Sequence, residues 1–139
     1  AVIFANQSRE QLRATWLMAW QKHRARELLT PLESQLVSVM ELHPEYHRWL
    51  EDGERASASQ AATDNPFLHL SLHLALREQL ATDRPAGIKA AVDSLALRLG
   101  DRHDALHRAM DVLGRTLWEA QHSGRAPDEQ VYLEAIRSL

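Results

Sequence analysis

The sequence predicts an all-α fold, a single-domain bundle of five to six helices. Three observations carry this. Helix start signals recur along the chain, and apolar residues return behind them at three- and four-residue spacings. No segment alternates apolar and polar residues with the period of a half-buried strand. A chain of 139 residues can bury a core without staples, so residues 1–139 are read as one domain.

Ser8 followed by Gln11 has the form of a capping box and opens a first helix over 9–26, with Leu12, Trp16, Ala19 and Trp20 on its apolar side. Thr30-Pro31-Leu32-Glu33 opens a second: a cap residue, proline at the first helical position and a carboxylate that can reach back to the cap. Proline lacks a backbone donor and clashes with the preceding turn. The second helix should therefore kink or break at Pro44 and resume to about residue 50. Residues 52–64 are small and polar and read as a mobile loop. Asn65-Pro66 caps a third helix over 66–81, and Asp83-Arg84-Pro85 is a turn into a fourth, over 85–99, that stops at Gly100. Asp101 caps a fifth, to 122, closed by Ser123-Gly124. A short last helix follows Pro127, its Asp128 and Glu129 suiting the positive N-terminal end.

Composition removes several function classes. The net charge of -3, with no long basic block, gives no electrostatic footprint for a phosphate backbone, so nucleic acid is not expected as a partner. The apolar run 67–76 is about half the roughly 20 residues needed to cross a bilayer, and the N-terminus lacks a signal-peptide pattern. The expected location is cytoplasmic, with no membrane partner; a second copy of the chain stays open as a partner. There are no cysteines, so any metal must be held by nitrogen and oxygen. Trp16, Trp20, Trp49 and Trp118 have no interleaved basic residues and read as core or interface rather than as platforms for bases.

The histidines are the one chemically suggestive feature. Of eight, six form pairs four residues apart: His43/His47, His69/His73 and His103/His107. Residues at that spacing share a helix face, so each pair can chelate one ion. His69 and His73 align with Leu76 and Leu80 and should face inward. His103 and His107 flank the stripe Leu106, Met110, Leu113 and Leu117 and should be at least partly buried. His43 and His47 continue the stripe Leu36, Met40 and Leu50. The expectation is one interior cluster fed by three helices, holding zinc, nickel, copper or non-haem iron rather than magnesium or calcium, which prefer oxygen. The alternative is a metal-free interaction or structural module in which the imidazoles form a buried polar network. Carboxylates do not favour a di-iron site: Glu41, Glu45 and Glu78 point away from the histidines of their own helices, and Glu33 is used in the capping box. His23 and His122 have no partner at helical spacing.

With those motifs placed, the chain resembles a bacterial family described as domain of unknown function 1841. The resemblance rests on His43-Pro44-Glu45-Tyr46-His47, on the run from Asn65-Pro66-Phe67-Leu68-His69 to Leu72-His73-Leu74-Ala75, on Asp83-Arg84-Pro85-Ala86-Gly87-Ile88 and on Trp118-Glu119-Ala120-Gln121. It implies a small bacterial helical protein and carries no catalytic residue over. Looser analogies are to hemerythrin-like and DinB-like bundles, which gather histidines from several helices around a metal. The first would need bridging carboxylates that the sequence does not place, and the second would use only some of the six histidines.

Overall fold

The computed structural model describes residues 9–51 and 66–139. It is all-α, with no strand among the described residues. The Ser8 cap, the expected loop over 52–64 and the Asn65 cap lie outside them. In chain order the elements are α1 (Arg9–Arg24), α2 (Pro31–Glu41), a single 3-10 turn (Pro44–Tyr46), α3 (His47–Glu51), α4 (Pro66–Thr82), α5 (Ile88–Leu99), α6 (Arg102–Ser123) and α7 (Glu129–Arg137). The break at Pro44 is thus complete, and a turn of different pitch fills the gap. Two compact units divide the chain between Leu74 and Ala75.

In the first unit α1 packs against α2 and α3. Trp16, Ala19 and Trp20 from α1 meet Leu36, Val39 and Met40 from α2, with Leu50, Phe67, Leu70 and Leu74 in the same buried cluster. Each buried side chain of this size contributes about 1.5–3 kcal/mol. Arg13 is buried with its guanidinium 5.8 Å from the centre of the Phe67 ring, within cation–π range. The capping box at α2 forms as expected: the Thr30 hydroxyl accepts from the Glu33 backbone N–H at 3.1 Å, and the Glu33 carboxylate accepts from the Thr30 N–H at 2.8 Å. Glu33 also pairs with Lys22 of α1 at 3.0 Å, so one carboxylate starts α2 and ties it to its neighbour.

In the second unit α5, α6 and α7 pack on one another. Ile88, Val92, Leu95, Ala105, Ala109, Leu113, Leu133 and Ile136 are buried there. Helix α5 begins at Ile88, three residues later than expected from Pro85. Asp83 and Gly87 explain the delay. Gly87 sits at φ +99°, which favours glycine, and the Asp83 carboxylate accepts from the backbone N–H groups of Gly87 at 3.2 Å and Lys89 at 3.0 Å. An aspartate before the turn therefore caps the helix from outside. Gly100 ends α5 at φ +71°, and Asp101 and Asp128 cap α6 and α7 through their carboxylates. Tyr132 of α7 donates to Gln79 of α4 at 2.7 Å, and burial pushes its phenol well above the usual range, so it stays protonated.

The Glu33 carboxyl titrates below its ordinary value of 4.5, first because it accepts the Thr30 backbone N–H and then because of Lys22. A depressed folded value means that its contribution is complete above the unfolded value and is lost as pH falls through the folded one. Thr30→Ala should cost about 1 kcal/mol at neutral pH. Glu33→Gln should flatten the acid limb of stability below pH 4.5 relative to wild type, as read by urea unfolding across pH.

Candidate metal centre

The geometry begins with the hydrogen that Pro44 lacks. In a continuing α-helix the Met40 carbonyl would accept from residue 44; here it takes the His43 backbone N–H at 3.0 Å, and the Val39 carbonyl takes that of Leu42 at 3.2 Å. Each carbonyl oxygen has a second lone pair, and histidine rings fill both. His43 Nδ1 lies 2.9 Å from the Val39 oxygen, and His47 Nε2 lies 2.9 Å from the Met40 oxygen. A carbonyl can only accept, so His43 carries its proton on Nδ1 and His47 carries one on Nε2.

For a neutral His43 this leaves the Nε2 lone pair, which is directed at Nε2 of His69, 3.0 Å away. His69 and His73 share a face of α4, one turn apart. The His43 ring stands nearly perpendicular to both, at 80° and 4.8 Å between centroids for His69 and at 89° and 5.1 Å for His73. One ring nitrogen from each of the three lies within 4.8 Å of the others. His43 and His73 are buried at 1% and 4% exposure, while His69 is half-buried. Metal–nitrogen bonds of 2.0–2.1 Å at a tetrahedral angle would set donors about 3.3 Å apart, so the His43–His69 pair needs only a few tenths of an ångström of movement to share an ion. As it stands, 3.0 Å is also the length of an N–H···N hydrogen bond.

Tyr46 completes the arrangement. Its ring lies parallel to that of His43, at 8° and 5.5 Å between centroids, and edge-on to that of His69, at 76° and 5.9 Å. His43 caps the 3-10 turn and Tyr46 ends it, with the Tyr46 backbone N–H donating to the His43 carbonyl at 3.0 Å, so the turn brings Tyr46 back beside His43. The signal was present in the sequence as an aromatic residue three places after a histidine, across a proline, but a continuous helical wheel hides it. Burial, reinforced by the charge of Glu45, raises the Tyr46 phenol above its ordinary range.

His47 is not in the group; its Nε2 is held by Met40 and its ring packs on Trp20 at 4.5 Å. Four residues of α-helix advance a side chain by about 40° net, whereas 3-10 steps add about 20° each, so a turn inserted after His43 rotates His47 away. In the second unit His103 is solvent-exposed, which corrects the expectation of burial, and His107 is half-buried with its ring 4.2 Å from that of His103. Helix α6 packs through Ala105, Ala109, Met110, Val112 and Leu113, a face rotated roughly 60° from the stripe Leu106, Met110, Leu113, Leu117. Small alanines, which a wheel weighted by size undervalues, set the contact. Leu117 and Trp118 are accordingly exposed. His23 lies beside Trp20 and 4.0 Å from Glu41, and the His122 ring stacks on Trp118 at 3.8 Å. Among the described residues of the first unit no carboxylate joins the three imidazoles.

Residues 8–138 match the family model described as Domain of unknown function (DUF1841). The chain belongs to the DUF1841 family. No curated protein and no solved structure matches it. Within this DUF1841 chain the histidine-bearing segments His43-Pro44-Glu45-Tyr46-His47 and Phe67-Leu68-His69-Leu70-Ser71-Leu72-His73 both lie in the matched region, and they supply the three grouped rings.

The two carbonyl contacts make an observable difference between neighbouring histidines. Long-range ¹H–¹⁵N correlation spectra at a pH where the rings are neutral should show His43 as the Nδ1–H tautomer and His47 as the Nε2–H tautomer. Finding the same tautomer for both would contradict the arrangement.

Proposed function

We propose that this DUF1841 chain binds a transition-metal ion through His43, His69 and His73, with zinc, nickel, copper and non-haem iron as the candidates. The observation that carries the reading is the convergence of three imidazole nitrogens from two helical segments, with the ring of one fixed by a backbone carbonyl through its remote nitrogen. A donated Nδ1–H that orients a ring and raises the basicity of Nε2 is the usual outer-shell partner of a metal-ligating histidine. Imidazole donors favour those metals over magnesium and calcium. An ion held by three protein ligands keeps a position at which it can polarise a bound water or substrate oxygen. The chain's own contribution would be to hold His43 by its Val39 contact and to present His69 and His73 together on one helix face.

A second reading has its own support. The 3.0 Å separation of the two Nε2 atoms fits a neutral hydrogen bond donated by His69 to His43, which makes the cluster a metal-free network in an interaction or structural module.

One measurement separates the two. Untagged protein stripped with chelator and titrated with zinc, nickel, cupric and ferrous ions should take up one of them stoichiometrically, and His69→Ala/His73→Ala and His43→Ala should each abolish uptake. Absence of uptake by the wild type for every ion would leave the metal-free network. Single alanine variants at His47, His103 and His107 belong in the same series, since the sequence counts them as donors; unchanged stoichiometry removes a residue from the set.

A further inference from the structure

Tyr46 touches two of the three rings and has no part in the donor set. Its flat ring stands at the end of the 3-10 turn, and the two imidazoles it meets are the pair whose Nε2 atoms face each other. Parallel contact with His43 limits rotation of that ring about its Cβ–Cγ bond, which the Val39 hydrogen bond already restrains from the other side. Edge contact with His69 does the same for a ring that is half-buried. Aromatic pairs in such offset and edge-to-face arrangements contribute beyond simple area burial. The plane of the phenol, rather than its hydroxyl, is therefore the feature aligned with the histidine pair.

Building on the metal reading above, we propose that Tyr46 is a positioning residue for the His43–His69 donor pair: its ring fixes the two imidazole planes so that both Nε2 lone pairs meet at one point, and it thereby sets the affinity and ligand field of the bound ion. The hydroxyl is not a ligand. Tyr46→Phe keeps the ring and should keep the site, whereas a flexible side chain of similar bulk should fill the space without orienting anything.

Cobalt(II) is the probe, because its visible ligand-field spectrum reports donor geometry directly. Stripped wild type, Tyr46→Phe and Tyr46→Leu are titrated with cobalt, and thermal unfolding of each is followed without metal. Tyr46→Phe should reproduce the wild-type spectrum and affinity. Tyr46→Leu should bind roughly tenfold more weakly, the lower end of what loss of an outer-shell partner costs, with a shifted spectrum and a metal-free melting curve close to wild type. Tyr46→Met takes its place if leucine lowers that melting curve. Wild-type behaviour in both ring-less variants would overturn the inference, as would a Tyr46→Phe variant as weak as Tyr46→Leu, which would assign the role to the hydroxyl. Failure of the metal reading looks different: the wild type itself then takes up no cobalt, or a His43→Ala/His69→Ala control takes up as much as wild type, and the inference falls with it.

Discussion

The missing N–H of Pro44 is the constraint on which the first unit's chemistry depends. It ends α2 by removing the donor that Met40 would have used, and the last two backbone bonds close at three-residue spacing, with the second lone pair of the Val39 and Met40 oxygens each taken by a side-chain donor. Both side-chain donors are imidazoles, one bound through Nδ1 and the other through Nε2, so the helix end orients two histidines in opposite senses. His43 is turned with its Nε2 toward α4, and His47 is spent against the helix end. A residue with an amide hydrogen at position 44 would supply the four-residue donor that the Met40 carbonyl lacks here.

The cluster is an extension of the core stripe and not a separate pocket grafted on it. His43 continues the buried positions Leu36 and Met40, and His73 stands between the buried Leu70 and Leu74. Imidazoles in such surroundings need partners for both nitrogens, since a buried polar atom left unpaired costs about 1–3 kcal/mol. For His43 the Val39 carbonyl and the His69 ring supply them. Whatever joins the His43 and His69 nitrogens, a proton or an ion, is thus part of how the first unit tolerates polar groups among its leucines and tryptophans.

Much of this was legible in the sequence, for reasons that also explain what was not. The fold class follows from caps and prolines, and those signals act locally: Thr30 and Glu33 close their box whatever packs on top of them. His69 and His73 were placed correctly because α4 is regular from one to the other, so a wheel suffices. His43 belonged to the stripe that precedes the proline and kept its phase. His47 and Tyr46 lie beyond the proline, where a few steps of tighter pitch rotate one residue out of the group and bring the other over it. On α6 the error was of another kind: alanines, having no bulk to announce a core face, allowed close approach along a line that large residues did not mark, and His103 came out on the surface. The late start of α5 was hidden because its cap, Asp83, is separated from the first helical residue, Ile88, by four intervening residues.

The two facing nitrogens of His43 and His69 belong to residues 26 positions apart. Bringing them together closes a loop whose entropic cost, from the logarithmic length dependence alone, is about 3 kcal/mol. His69 and His73, by contrast, meet as soon as one turn of α4 exists. The contact across the loop is therefore made against that cost each time the unit folds, unlike a disulfide, which keeps its loop closed in the unfolded chain as well. It joins the end of α2 to α4, whereas the His69–His73 spacing is internal to α4.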